Sequence, residues 1–325
     1  MAVPFKVASC AVTFGVFTKE PMERLEAAGC EVTLSPFGRA MTKREIVDFA
    51  YGADAVILGN GHMTASVIDS LPGLKVIARH GRGVDNIDYA EARKMGVIVT
   101  NTPGVNVEET ADLTFGLILD LERHITQMSN ELKGGVWNKR AGHSLYGKTI
   151  GIIGVGDTGM AVARRAMGFG MDILGYDIQE RPEAALTGLI FTSLNDLLKR
   201  ADIVTLHVPL TDVTRNLISA KELRMMKDDA ILVNTSRAGI VRESALEKAL
   251  REGRLYGYAT DVYAGEPPQI PGISELPNVI MTPHAGSATY EANLRMGMAV
   301  ADNIIAVKDG VTPPNLVTPV TLLYG

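Results

Sequence analysis

The sequence predicts an α/β protein with parallel sheets and more than one domain. Short apolar runs alternate with helical patterns over most of its 325 residues, which is typical of βαβ units. This length exceeds what one domain usually needs and is sufficient for two. Hydrophobic residues make up 46% of the chain, so it can bury one or two large cores.

The first hundred residues contain one series of elements. Strands are predicted at 5–8, 31–34, 55–58, 75–78 and 97–99, and helices at 21–28, 43–51 and 89–95. Gly29 follows the first helix and fits a C-cap. These residues alone predict a compact α/β unit.

A second series follows the turn-rich residues 101–104, which could form a hinge. Apolar residues at helical spacing predict one long helix over 108–133. Strands are predicted at 149–153, 173–176, 203–207, 231–234, 257–262 and 279–282, and helices at 160–169 and 290–309. The prolines at 313 and 314 end the last helix.

Composition argues against several classes of protein. The formal net charge of −5 gives no general attraction to nucleic acid or to an anionic membrane. Cys10 and Cys30 form neither a disulfide framework nor a CxxC zinc motif, so we expect two reduced, buried thiols, no metal and a cytoplasmic protein. The N-terminus indicates a first strand and not a signal peptide, and no apolar stretch is long enough to span a bilayer.

A glycine-rich turn predicts a dinucleotide site. Gly154, Gly156 and Gly159 follow a predicted strand and open a helix, as phosphate binding requires. Asp177 ends the next strand, roughly 20 residues on, where an acidic residue binds the ribose and favours NAD over NADP. The alternative is a tight turn with an incidental Asp177. Asp157 places a negative charge in the turn, so its side chain either points to solvent or weakens the site.

Arg237, Glu266 and His284 form a catalytic hypothesis. Taken singly, each could be an ordinary loop residue, but each follows a predicted strand, where open α/β sheets bind ligands. An arginine suits a substrate carboxylate and can polarise the adjacent carbonyl. A histidine titrates near pH ~6.5 and can hold or give a proton, and a neighbouring glutamate favours its protonated form and fixes its orientation.

Six stretches together resemble the D-isomer-specific 2-hydroxyacid dehydrogenase family. They are 79–88 (RHGRGVDNID), 107–112 (VEETAD), 207–211 (HVPLT), 234–239 (NTSRAG), 261–268 (DVYAGEPP) and 282–286 (TPHAG). The resemblance covers nearly the whole chain. It is nearest to the phosphoglycerate dehydrogenase-like branch, without that branch's optional C-terminal regulatory domain.

The resemblance implies roles for individual residues. Arg237, Glu266 and His284 would be catalytic, and Arg82, Gly83, Arg237 and His284 would bind substrate. The residues that would bind the cofactor, NAD, are Gly154, Gly156, Asp157, Thr158, Gly159, Asp177, His207, Val208, Pro209, Thr235, Ser236, Asp261, His284 and Gly286. Asp261 would hold the nicotinamide amide.

The family also implies an architecture of two doubly wound parallel-sheet domains. A Rossmann NAD-binding domain, 102–286, would be inserted in a flavodoxin-like substrate domain, 1–101 and 287–325, with a cleft between the domains. The long helix after the hinge would support a homodimer; from the sequence alone it could equally be the core helix of a monomer.

The function implied is reversible hydride transfer between NAD(H) and a small D-2-hydroxy acid or 2-keto acid. One alternative is an NAD(H)-sensing interaction protein of the corepressor type, and another is the same site acting on a phosphonate. Arg82 stands where the family usually has a small or apolar residue. It could be a second cation for a doubly anionic, phosphoglycerate-like substrate, or a surface arginine whose head faces water.

Overall fold

The computed structural model describes residues 3–319, and these form two compact units. Unit 1 takes in the described residues of Met1–Asn106 and Ser287–Gly325, and unit 2 is Val107–Gly286. In this division residues 102–106 belong to unit 1.

Unit 1 contains a five-stranded parallel sheet. Its elements along the chain are β1 (Phe5–Ser9), α1 (Glu20–Ala27), β2 (Cys30–Leu34), α2 (Lys43–Ala50), β3 (Ala55–Leu58), α3 (Ala65–Asp69), β4 (Val76–Arg79), α4 (Tyr89–Lys94) and β5 (Ile98–Thr100). The strand order β2-β1-β3-β4-β5 is the flavodoxin-like order. Strands β3 and β4 are buried along their whole length, which explains their near-continuous apolar sequence.

Unit 2 contains a seven-stranded parallel sheet. Its elements are α5 (Val107–Arg123), α6 (Ile125–Lys133), β6 (Thr149–Ile153), α7 (Asp157–Gly168), β7 (Asp172–Tyr176), β8 (Ile190–Phe191), α8 (Leu194–Arg200), β9 (Ile203–Leu206), α9 (Ala220–Leu223), β10 (Ile231–Asn234), α10 (Glu243–Arg251), β11 (Gly257–Thr260), α11 (Pro271–Ser274) and β12 (Val279–Met281). Short 3₁₀ helices lie at Pro182–Thr187 and Ala238–Ile240.

The strand order in unit 2 is β12-β11-β10-β9-β6-β7-β8. Counted from β6, this is the Rossmann order with one further strand at the edge. The order reverses between β6 and β9, and the carboxyl ends of strands at such a switch point form the expected ligand crevice. The two parallel sheets confirm the predicted fold class.

The prediction of one helix over 108–133 was wrong, because the helix breaks at His124. That residue has a left-handed backbone with φ of 52°, and its ring Nε2 is 2.9 Å from the Tyr256 hydroxyl. The Asp120 carboxylate accepts hydrogen bonds from the Thr126 amide and hydroxyl, which caps the second helix, α6. Side-chain contacts therefore divide a segment whose apolar spacing is helical throughout.

Helix α12 (Tyr290–Lys308) returns the chain to unit 1. The Thr289 hydroxyl accepts from the Ala292 amide and caps its N-terminus. Gly297 lets α12 approach α1 closely, since a Cβ there would lie 2.5 Å from the Pro21 ring. Within residues 3–319, no helix is both long and apolar enough to cross a membrane.

Candidate active site

The glycine turn lies between β6 and α7 and takes its shape from missing side chains. Gly154 has φ of +92°, and a Cβ on it would lie 2.6 Å from the carbonyl carbon of His207 after β9. A Cβ on Gly159 would collide with the Gly154 oxygen. By contrast, no described atom lies within 4 Å of the Cβ position of Gly156. The turn is closed around its first and third glycines and open at its second, so it fits a pyrophosphate at the N-terminus of α7.

Asp177 joins the glycine turn to the loop after β7. Its Oδ2 accepts a hydrogen bond from the Val155 amide at 2.6 Å, and its Oδ1 accepts from the Gln179 amide at 3.1 Å. A carboxylate offers about four acceptor positions, so this carboxylate can also accept ribose hydroxyls. The structure therefore places Asp177 beside the turn, as the spacing predicts.

Asp157 forms an ion pair with Arg181 and is only partly exposed. Its Oδ1 accepts a hydrogen bond from Nη1 of Arg181 at 2.9 Å, and the two side chains are 46% and 38% exposed. Arg181 therefore balances the negative charge that seemed out of place in the sequence. Thr158, the next residue of α7, is half-buried.

His207 follows β9 at the switch point. Its backbone amide donates to the Ile153 oxygen at 2.7 Å, and its Nε2 is 2.9 Å from the hydroxyl of buried Thr205. Burial lowers the pKa of His207 to about 3, so the ring is neutral at neutral pH. Val208 and Pro209 continue from His207 beside Gly154, and the Pro209 oxygen accepts from the Thr214 hydroxyl.

Buried Asn234, the last residue of β10, holds the loop that carries Arg237. Its Oδ1 accepts from the Ser236 amide and hydroxyl, and its Nδ2 donates to the Arg237 oxygen at 2.9 Å. The Thr235 hydroxyl is 2.9 Å from that of Thr114 on α5. Arg237 is half-buried, and its Nη1 donates to the Ser236 oxygen. The loop is thus fixed at its root.

Glu266 and His284 form a direct pair. The Glu266 Oε1 and the His284 Nδ1 are 2.5 Å apart, and the side chains are 21% and 30% exposed. A carboxylate accepts hydrogen bonds, so Nδ1 carries a proton and Nε2 is left to exchange one with a ligand. His284 has φ of 54°, a left-handed conformation that is uncommon outside glycine and is often found at functional sites.

Asp261 fixes the loop that follows β12. This buried carboxylate accepts from the Thr282 hydroxyl at 2.7 Å and from the amides of Ala285 and Gly286 at 2.7 and 2.8 Å. Burial raises the pKa of Asp261, and these hydrogen bonds act in the opposite direction. The residues on both sides of His284 are therefore tied to the end of β11.

Tyr263 supports the same arrangement from the Glu266 loop. Its hydroxyl donates to the Thr282 oxygen at 2.7 Å, so the loop after β11 is tied to the segment that leads to His284. The sequence gives no signal of this role, because an aromatic residue between Val262 and Ala264 is unremarkable in a loop.

In unit 1, buried Arg79 holds the loop that contains Gly83. Its Nε donates to the Gly83 oxygen at 3.0 Å, and its Nη1 donates to the oxygens of Leu58 and His80 at 3.2 and 2.5 Å. A guanidinium presents five donors in a fixed fork, so one side chain can set several carbonyl positions. From the sequence, Arg79 is recognisable only as the first residue of the stretch 79–88.

Arg82, the unusual residue of this loop, is half-buried. Its backbone oxygen accepts from Nδ2 of Asn101 at 2.8 Å, which fixes the main chain. The role of its side chain, and that of Gly83 as a substrate ligand, stay predictions.

The three predicted catalytic residues follow neighbouring strands of one sheet. Arg237 comes after β10, Glu266 after β11 and His284 after β12, and these strands are adjacent. Asp261 and Gly286 lie in the same loops, and the glycine turn and His207 lie at the ends of β6 and β9. Unit 2 thus places an arginine, a glutamate–histidine pair and a glycine-rich turn at the carboxyl edge of one sheet.

Comparison with known proteins identifies relatives of this chain. Residues 115–286 match the family model for the D-isomer specific 2-hydroxyacid dehydrogenase NAD binding domain. The chain is 43% identical over 285 residues to a glyoxylate reductase of Korarchaeum cryptofilum, covering 85% of this chain and 86% of that protein. It is 42% identical over 282 residues to a D-3-phosphoglycerate dehydrogenase of Methanocaldococcus jannaschii, covering 85% of this chain and 54% of that protein.

Solved structures give the same result. The TT0316 protein from Thermus thermophilus aligns with a TM-score of 0.87 at 37% identity, covering 96% of this chain and 100% of that one. A D-lactate dehydrogenase from Aquifex aeolicus, complexed with NAD and lactic acid, aligns with a TM-score of 0.83 at 26% identity, covering 96% and 98%. These matches favour an enzyme over a corepressor-like sensor. The chain belongs to the D-isomer-specific 2-hydroxyacid dehydrogenase family and is an NAD-dependent oxidoreductase acting on 2-hydroxy acids and 2-keto acids.

Proposed function

We propose that this enzyme reduces a small 2-keto acid of the glyoxylate and hydroxypyruvate class to the D-2-hydroxy acid, with residues 107–286 as the NAD-binding domain and the other unit as the substrate domain. The observation that carries the mechanism is the Glu266–His284 pair, 2.5 Å apart at the ends of neighbouring strands. Relatives named glyoxylate reductase, from Korarchaeum cryptofilum and Thermococcus litoralis, support the substrate class.

His284 is the proposed acid and base. Nε2 gives a proton to the carbonyl oxygen of the keto acid during reduction and takes it from the hydroxyl during oxidation. Glu266 accepts from Nδ1–H, which fixes the tautomer and stabilises the ring when it is protonated. Arg237 binds the substrate carboxylate and polarises the adjacent carbonyl.

The cofactor-binding residues are those of the glycine turn, Asp177 and the loops after β9 to β12. The chemistry that the bound dinucleotide supplies is hydride transfer to or from C2 of the substrate. Gly156 leaves room for the pyrophosphate, and Asp177 accepts the ribose hydroxyls. Thr158, Thr235 and Ser236 would complete the phosphate and ribose contacts. Asp261, which also fixes the loop around His284, would hold the nicotinamide amide.

A doubly anionic substrate is the second candidate, and Arg82 is the observation in its favour. Turnover of glyoxylate, hydroxypyruvate, phosphohydroxypyruvate and sulfopyruvate should be measured with NADH for the wild type and Arg82→Ala. Arg44→Ala is a matched control, because Arg44 is an exposed arginine of the same unit. If Arg82 binds a second anionic group, its removal raises KM for the last two acids about tenfold. If Arg82→Ala leaves the preference among the four acids unchanged, Arg82 is a surface residue without a role in substrate binding. If the wild type turns over none of the four acids, the proposed substrate class is overturned.

A homodimer is also proposed, with α6 and the segment after it at the interface. All the residues of α6 are described and none is buried, and Trp137 beyond it is 78% exposed. Such apolar exposure is typical of an interface. Light scattering should give a dimer for the wild type and a monomer for Trp137→Glu, with Tyr51→Glu in unit 1 as the control.

A cytoplasmic location is proposed because both cysteines of the described chain are free thiols.

A further inference from the structure

We propose that the ion pair between Asp157 and Arg181 helps to set the choice between NADH and NADPH, because Asp157 keeps Arg181 from binding the 2′-phosphate of NADPH. This inference rests on the proposed role of the glycine turn and Asp177 in binding the dinucleotide. It concerns two residues of this chain that no role in catalysis requires.

The geometry places the ion pair at the rim of the adenosine ribose site. The loop after β7 reaches the glycine turn at two points: Asp177 accepts from the Val155 amide at 2.6 Å, and Arg181 donates to Asp157 at 2.9 Å. A pyrophosphate over Gly156 brings the ribose to Asp177. A 2′-phosphate on a ribose held by Asp177 would therefore lie beside the loop that carries Arg181.

Arg181 has the chemistry of a 2′-phosphate ligand. Its guanidinium is always charged and forms paired hydrogen bonds with phosphate oxygens, and an arginine near the ribose is the usual way to accommodate NADP. The side chain is 38% exposed, so a ligand can reach it. In this chain, however, its Nη1 is bound to the Asp157 carboxylate.

Two carboxylates then act against the 2′-phosphate in different ways. Asp177 repels it directly, while Asp157 occupies the cation that would bind it. An anion on the first turn of α7 is also favoured by the helix dipole, so Asp157 is stable where it stands. A simpler role for the pair would be to neutralise charge near the pyrophosphate, but that effect is the same for both dinucleotides.

The test measures the binding of NADH and of NADPH directly. Binding is detected by the fluorescence of the cofactor, at constant ionic strength and without any keto acid. We expect Asp157→Asn to shift the ratio of the NADPH and NADH affinities about tenfold towards NADPH. The double variant Asp157→Asn/Arg181→Ala should lose this gain. Asp177→Ser/Asp157→Asn should bind NADPH more tightly than either single variant.

The control is Asp228→Asn, which removes one negative charge from another exposed ion pair of unit 2, the pair with Arg254. Asp157→Ser provides a second test, because serine also removes the negative charge and is a residue type favoured at the N-terminus of a helix. The proposal is overturned if Asp157→Asn changes both affinities equally or leaves NADPH binding unchanged, or if the gain survives loss of Arg181. Failure of the wild type to bind either dinucleotide would instead overturn the cofactor role of the turn, and the inference with it.

Discussion

The glycine turn and the three loops after β10, β11 and β12, which carry the proposed catalytic residues, lie at the same edge of the same sheet, but different kinds of residue fix their shapes. Gly154 and Gly159 make the turn possible because a side chain at either position would meet backbone atoms. The loops after β10 to β12 are instead held by buried side chains, chiefly Asn234 and Asp261. The shape of the turn depends on the absence of side chains, and the shape of the three loops depends on buried side chains that hold them.

From this difference we expect variants of the two regions to separate cofactor binding from turnover. A change in the turn should act on the affinity for the dinucleotide and on the stability of unit 2. A change in the loops should act first on the rate of the chemical step. Variants that mix the two effects would show that the regions are not independent.

The largest effect is expected for His284→Gln. Glutamine can still bind Glu266 but cannot exchange a proton, so kcat for a keto acid should fall about 1000-fold, close to 4 kcal/mol. NADH affinity, measured by fluorescence, should stay within about threefold of the wild-type value. Wild-type turnover would overturn the proposed role of His284, and loss of NADH binding would show that loop and turn are coupled.

Gly159→Ala should damage the other region. Its methyl group would be forced against the Gly154 oxygen, which should cost about 3 kcal/mol in the free energy of unfolding and weaken NADH binding. Gly168→Ala on the same helix is the control, since apart from its chain neighbours and the backbone of its own helix no described atom lies within 4 Å of its Cβ position. Urea unfolding and NADH titration give the two quantities. Equal stability of the two variants would contradict the tight packing.

Asp261→Asn should lower kcat and leave the turn intact. The amide keeps the shape of the carboxylate, but its NH₂ group would face a backbone N–H that also donates. Loss of that hydrogen bond should destabilise the folded loop by about 2 kcal/mol. We expect kcat to fall about 30-fold. Asp228→Asn is the matched control for loss of a carboxylate at an exposed site. Unchanged kcat would mean that Thr282, Ala285 and Gly286 hold the loop without Asp261.

The smallest effect concerns pH and His207, beside the turn. Its pKa is about 3 in the folded protein, below the unfolded value near ~6.5, so the unfolded chain binds more protons between these values. Stability from this group is present above pH ~6.5 and is lost as pH falls. When the pH falls from 7.5 to 5.5, the free energy of unfolding, measured with urea, should therefore decrease by about 1 kcal/mol more for the wild type than for His207→Gln. His62→Gln, at an exposed histidine, should resemble the wild type; equal losses in all three would contradict the assignment.

Much of this architecture could be predicted from the sequence, because periodicity and glycine spacing are local. The strands of both sheets were anticipated to within a few residues, apart from β8, which has only two residues. The positions of Arg237, Glu266 and His284 after predicted strands could also be inferred, since each follows an apolar run. That these strands are neighbours is seen only in the order of the sheet. The family resemblance supplied their roles.

What the sequence could not predict depends on distant side chains. The helix break at His124 involves Tyr256, far along the chain. The partner of Asp157 is an arginine on the loop after the next strand, so the charge in the turn looked anomalous without it. Tyr263 and Arg79 act through hydrogen bonds to backbone oxygens, and no spacing rule identifies such residues.

The pairing of β11 with β12 has one further consequence. Thr260 lies opposite Met281 in this ladder, and neighbouring strands are about 4.8 Å apart. The two chain segments that carry the glutamate and the histidine therefore leave the sheet one strand spacing apart, and the loop of residues 261–266 brings the two side chains together. A slip of one residue in that ladder would shift the two segments by about 3.3 Å relative to each other, which exceeds the 2.5 Å between Glu266 Oε1 and His284 Nδ1.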